Sequence, residues 1–125
     1  EASQHVASPD RLTRTADLTL VRREGKRVRT ALLEVRVLAS LLHAGATHRV
    51  GIVVPKHRHT VVERNRLKRR LRELTRAQWP ALFDAMPPRD VALYALPSAY
   101  DAPFDALRTD VARLGAKVAA LPVVA

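Results

Sequence analysis

The chain reads as an α+β protein, a two-layer sandwich with one four-stranded sheet, in the order helix, three strands, helix, strand, helix. Three observations carry this reading. Leu33, Val35 and Val37 alternate with Glu34 and Arg36, the period of a strand with one packed and one polar face. Arg49-Val50-Gly51-Ile52-Val53-Val54 is nearly all apolar and ends at Pro55, as a strand near the middle of a sheet does. Leu67, Leu71 and Leu74 then recur at i, i+4 and i+7, the spacing of a helix with one buried stripe. A chain of 125 residues is expected to form one domain over 1–125 and to bury roughly two thirds of its unfolded surface.

The elements follow in order. Residues 1–10, ending Ser8-Pro9-Asp10, are expected to be an extended, flexible arm. Thr15 is placed to N-cap a short helix through Arg23, with Gly25 as the residue after its C-cap. Lys26–Arg29 and Leu32–Leu38 follow as strands, and a turn over His43–His48, centred on Gly45, leads to the strand Arg49–Val54. Pro55 ends that strand, and a loop with His57, Arg58, His59 and Thr60 enters the leucine-striped helix. Pro80 is expected to stop this helix at about Gln78, because proline lacks the N–H that a helix interior uses. Pro87-Pro88 marks a turn and Val91–Leu96 a fourth strand. A last helix is expected from Pro103 to about Lys117, with Asp101 as its cap and Gly115 near its end. The third and fourth strands flank a crossover helix.

Charge says most about partners. Twenty-two Lys and Arg against twelve Asp and Glu give a net charge of +10, which opposes compaction unless a partner neutralises it. Nucleic acid leads the candidates, ahead of an anionic membrane surface and an acidic protein. Arginine greatly outnumbers lysine, and its planar fork suits two-point contact with phosphate. The absence of cysteine excludes disulfides and thiolate metal sites and suits a reducing cytoplasm. No apolar run approaches the roughly 20 residues needed to span a bilayer. The chain starts with Glu1 rather than methionine, as expected of a processed or trimmed form, and without a signal-peptide pattern.

The charge concentrates in Glu63-Arg64-Asn65-Arg66-Leu67-Lys68-Arg69-Arg70-Leu71-Arg72-Glu73. With Leu67 at zero on a wheel of about 100° per residue, Leu71 and Leu74 fall within about 40° of it. Asn65, Arg69, Arg72 and Arg76 take the far side, with Arg66 and Lys68 on the flanks. Arg64 and Arg70 border the stripe, where their stems can cover it while their heads reach solvent. Like charges at i, i+4 each cost about 0.2–0.5 kcal/mol, a repulsion that a phosphate array would remove. A membrane-surface helix would want a broad apolar face with aromatics, and this stripe has neither.

Arg64-Asn65-Arg66-Leu67-Lys68-Arg69-Arg70-Leu71-Arg72-Glu73 resembles the RNR motif of the bacterial ribonuclease P protein subunit. The preceding Val50–Val54 strand, Pro55-Lys56 and Val61-Val62 agree with that family, as do Arg11-Leu12, Asp17-Leu18, Gly25-Lys26 and Asp90–Ala95. The resemblance implies the ribosomal protein S5 domain 2-like fold, with a left-handed crossover between the third and fourth strands against the usual rule. It implies that Arg64, Asn65, Arg66, Lys68, Arg69 and Arg72 bind the ribonuclease P RNA. The 5′ leader of precursor tRNA would lie in a central cleft at Leu18, Arg22, Arg36 and Lys56. Mg²⁺ would be held mainly by the RNA, which cuts, leaving the protein without an active site of its own. Where the family often has stacking aromatics in this cleft, the chain has Leu18, Arg22 and Arg36.

The residues agree with a non-catalytic role. The acidic side chains are scattered, whereas metal-dependent hydrolysis needs carboxylates that converge on an ion. No Ser or Thr has an evident Asp–His companion. His57 and His59 are better explained as polar loop residues than as metal ligands. Trp79 and Phe83, at i, i+4, suit packing better than base stacking, and so does Tyr94, whereas Tyr100 carries no signal. A structural RNA-binding protein of ribosomal type, with no processing role, is the competing reading.

Overall fold

Four strands pair into one sheet in the computed structural model, which describes residues 15–39, 48–84 and 89–121. The elements are α1 (Thr15–Glu24), β1 (Lys26–Arg29), β2 (Leu33–Ala39), β3 (Arg49–Val53), α2 (Val61–Phe83), β4 (Arg89–Ala95) and α3 (Phe104–Ala119). The expected order of elements is therefore the one observed. A 3₁₀ turn at Pro97–Asp101 precedes α3. The N-terminal arm, the Arg11-Leu12 segment, most of the His43–His48 turn and Pro87-Pro88 lie outside the described residues.

The sheet order is β1-β2-β4-β3, with β1 and β4 antiparallel to β2 and β3 parallel to β4. Strand alternation decides which residues meet which layer. Leu33, Val35 and Val37 of β2 and Val91, Leu93 and Ala95 of β4 are buried on one face with Leu67, Leu71, Leu74, Leu107, Val111, Leu114 and Val118. There α2 covers β3 while α3 covers β1 and β2. The other face carries α1, where buried Val21 and Ala92 pack with Leu18, Leu38 and Tyr94.

Two cap positions differ from expectation. Thr15 is the first residue of α1, which moves the N-cap position outside the described residues. Gly25 does follow the helix: its N–H donates to the Val21 carbonyl at 2.8 Å, and a Cβ there would run into that oxygen and into the Val37 backbone. Asp101 does not cap α3, whose N-cap is Pro103. Asp101 ends the 3₁₀ turn instead, and that turn buries Ala99.

The largest difference is that α2 passes through Pro80 to Phe83. Its buried residues include Leu67, Leu71, Thr75, Trp79 and Phe83, a ladder in steps of four. Each such step rotates about 40° around the axis, so the buried ridge winds from the sheet toward α3. Trp79 and Phe83 are each 1% exposed, and Trp79 Nε1 donates to the Val111 carbonyl at 3.0 Å. Burying two large aromatics offsets a proline that costs about 3 kcal/mol. Pro80 is exposed, so the carbonyl that lost its partner can be hydrated.

Gly115 lies near the end of α3, as expected, and the helix runs on to Ala119. It is packed closely against α2: a Cβ there would stand 2.6 Å from Trp79 Nε1 and 2.7 Å from Leu82 Cδ1. The indole is held by Val111 and cannot yield. Gly115→Ala should thus lower stability by about 1–2 kcal/mol in urea unfolding, despite a helix-propensity gain of about 1 kcal/mol. A more stable variant would mean that α2 and α3 separate easily.

Candidate nucleic-acid interface

The basic helix begins at a closely held turn. The His59 N–H donates to the Lys56 carbonyl at 2.7 Å, and His57 and Arg58 between them have φ of 44° and 69°. Positive φ at both central residues is the signature of a type I′ turn, and non-glycine residues hold it only where the surroundings insist. Tyr100 supplies part of that insistence. Its hydroxyl donates to the Pro55 carbonyl at 2.6 Å, and its ring stacks on His59 with centroids 3.7 Å apart. Burial pushes the Tyr100 hydroxyl pKa up.

Thr60 then caps α2. Its Oγ1 accepts from the Glu63 N–H at 3.1 Å while a Glu63 carboxylate oxygen accepts from the Thr60 N–H at 2.8 Å. This reciprocal pair satisfies two donors that a helix start would otherwise leave open. The Thr60 backbone bond, with a smaller contribution from His59, holds the Glu63 carboxyl below its ordinary pKa.

Beyond the cap, the wheel separates as the leucine spacing demands. Leu67, Leu71 and Leu74 are buried, and Asn65, Arg66, Arg69 and Arg76 are exposed. Arg64 and Arg70 are half-buried at the border, and Arg64 Nε donates to the Val54 carbonyl at 2.8 Å. Lys68 and Arg72 are half-buried too. Arg72 thus differs from its expected place on the outer face, because the winding ridge brings its side of the helix toward α3. The two carboxylates of α2 are Glu63, engaged by the cap, and Glu73. The outer face is therefore strongly positive along most of its length.

A second basic region lies on the α1 face of the sheet. Leu18 packs beside Tyr94, and Arg36 Nη1 donates to the Arg22 carbonyl at 2.7 Å, so α1 and the sheet bring together Leu18, Arg22 and Arg36. Arg36 Nε also pairs with Glu34 Oε2 at 3.2 Å. The guanidinium therefore secures the last turn of α1, a role that sequence reasoning missed. Lys56 is exposed just beyond β3, at the sheet end where Val53 lies beside Tyr94.

Tyr94 packs, as expected, against Val21 and Ala92, and it is half-buried on the α1 side of the sheet. Burial raises its hydroxyl pKa while Arg22 and Arg36 nearby act the other way. Its register with Ala92 and Asp90 puts it on the α1 face, opposite to Val91 and Leu93.

An ionic tie joins α1, β3 and β4 on this face. Arg49 gives Nε to Asp90 Oδ1 at 2.9 Å and Nη2 to Asp90 Oδ2 at 2.7 Å, while Nη1 reaches Asp17 Oδ2 on α1 at 3.3 Å. The hydrogen bond to Asp90 holds the Arg49 guanidinium more firmly protonated. Among the described residues no three His, Asp or Glu side chains come together as metal ligands do.

Comparison with known proteins agrees with this geometry. The family model described as Ribonuclease P matches residues 6–119. The ribonuclease P protein component of Syntrophobacter fumaroxidans is 40% identical over 93 residues, which cover 72% of this chain and 71% of that protein. That of Kocuria rhizophila is 42% identical over 74 residues, 59% of this chain and 63% of that protein. Among solved structures, the RNase P protein of Staphylococcus aureus superposes with a TM-score of 0.73 at 21% identity, over 89% of this chain and 95% of that one. The protein from Thermotoga maritima gives 0.72 at 22% identity, over 86% and 96%. At those identities the structural likeness establishes the fold alone.

Proposed function

The chain belongs to the ribonuclease P protein family, and from that premise we propose how it serves tRNA 5′ maturation. It binds the ribonuclease P RNA through the outer face of α2, and it takes the single-stranded leader of precursor tRNA in the cleft between α1 and the sheet. The observation that carries this reading is the division of α2 into a buried leucine stripe and an exposed face bearing Asn65, Arg66, Arg69 and Arg76. Such a face has the charge density to displace counterions from an RNA backbone, which is the main source of affinity in such contacts.

Arg64, Lys68 and Arg72 flank that face and add charge at its borders. In the cleft, Arg22 and Arg36 neutralise leader phosphates, Leu18 and Tyr94 offer apolar and aromatic surface to unpaired bases, and Lys56 extends the charge past β3. We place Mg²⁺ mainly on the RNA, and the cleavage chemistry with it. No helix among the described residues is long and apolar enough to cross a membrane.

The test is to assay precursor-tRNA cleavage by a bacterial ribonuclease P RNA at limiting Mg²⁺, with and without the purified protein. The protein should lower the Mg²⁺ requirement and favour precursor over mature tRNA. Binding without either effect would support the ribosomal-type alternative. Cleavage by protein without RNA would place the active site in the chain.

A further inference from the structure

The basic lining of the α1 face does not stop at β2. In the register of β1 on β2, Arg27 stands directly opposite Arg36, and Arg29 opposite Glu34. Val28 between them packs into the core on the other face, so Arg27 and Arg29 share the side that carries α1 and the cleft. Both are exposed, and among the described residues neither has an ion pair. The nearest carboxylate across the strand, Glu34, is already paired with Arg36.

A like-charge pair directly across two strands destabilises a hairpin. Edge strands do use charge to discourage pairing with other chains, but Lys26 and Arg29 already serve that need at this edge. Arg27 against Arg36 adds repulsion without adding protection. An anion lying over both would turn that repulsion into affinity. Residues two apart on a strand project about 6.7 Å apart on one face, a repeat comparable to successive phosphates of an extended single strand.

We propose that Arg27 and Arg29 form a second leader subsite, continuing the cleft across β1 and taking backbone phosphates of leader nucleotides beyond those held at Arg22 and Arg36. The occupant is single-stranded RNA. The β1 edge is separated from β3, the strand that leads into α2, by two other strands. The subsite therefore draws on charge distinct from the face assigned to the ribonuclease P RNA. This inference rests on the cleft reading given above and adds a length dependence to it.

The experiment compares mature tRNA with precursors carrying leaders of about 4 and about 10 nucleotides, bound by the complex of bacterial ribonuclease P RNA with wild-type protein or Arg27→Gln/Arg29→Gln. The variant should lose roughly three- to tenfold in affinity for the long leader, with a log–log salt slope lower by about 0.7 per lost phosphate contact. Affinity for the short leader and for mature tRNA should stay within error. Arg27→Lys/Arg29→Lys should restore much of the loss, and the melting temperature of the Gln variant should be unchanged or higher. Equal losses at both leader lengths, or none, would overturn the subsite while wild-type preference for precursor over mature tRNA keeps the cleft. If wild type itself shows no such preference, the cleft reading fails and the subsite with it.

Discussion

Replacing Arg66, Arg69 and Arg76 together with alanine should weaken binding to ribonuclease P RNA about a hundred- to thousandfold and leave the fold intact. Each charge-assisted hydrogen bond to phosphate contributes about 1.5–3 kcal/mol, and three such contacts on one face add less than their sum. The salt dependence gives the sharper readout. Each lost phosphate contact carries a log–log slope of about 0.7–0.9, so the slope should fall by about 2 to 3.

Stability should not suffer, because all three side chains are exposed while Leu67, Leu71 and Leu74 hold the helix. Removing Arg66 even relieves its repulsion with Arg70 one turn on. Filter binding across a salt series, paired with urea unfolding, separates the two effects. An unchanged slope would put this face outside the interface. Lysine at the same positions should keep most of the slope but not all of the affinity, since an ammonium cannot make the two-point contact.

Asp90→Ala should cost about 3–5 kcal/mol of stability, the usual penalty for removing one member of a buried ion pair. Asp90 is fully buried and grips Arg49 through two bonds, so its loss leaves Arg49, a residue 6% exposed, with Asp17 as its one ion-pair partner among the described residues. Against a typical domain stability of about 5–15 kcal/mol this is a large share. The effect should reach function unevenly. Asp17 and Arg49 tie α1 to the sheet, so discrimination of precursor from mature tRNA should fall further than binding of the RNA to α2.

Urea unfolding with an unchanged m-value, alongside both binding assays, checks this. Loss below about 1 kcal/mol would mean that water already reaches the pair. Replacing both partners by apolar residues, Arg49→Met with Asp90→Leu, should recover much of the stability without the tie to Asp17.

Much of this was legible in the chain. The alternation in β2, the apolar run of β3 and the stripe of α2 are local patterns, set by how often a side chain returns to the same face. The split of α2 into buried leucines and exposed Asn65, Arg66 and Arg69 followed from that period alone. The resemblance of Arg64 to Glu73 to a known motif supplied what period could not, the family.

Other features came from contacts between residues far apart in sequence. Pro80 should end a helix, and it does not, because Trp79 and Phe83 are buried in the core, with Trp79 bonded to Val111 of α3, which no local rule contains. Gly115 lies near the end of α3 as expected, but only the fold reveals it as a contact point with α2. Tyr100 carried no signal until the fold stacked it on His59.

Taken alone, the order of residues sufficed for which segments are helix or strand, for the overall positive charge, and for the face of α2 turned to solvent. These depend on neighbours within a turn or two, where backbone geometry is nearly fixed. Only the folded chain decided strand order, and with it that Arg49 meets Asp90, that Arg36 holds the end of α1, and that Arg27 stands against Arg36. The reason is physical. Register and layer packing are set by burying every apolar face at once, so each such pairing is a property of the whole core rather than of either partner.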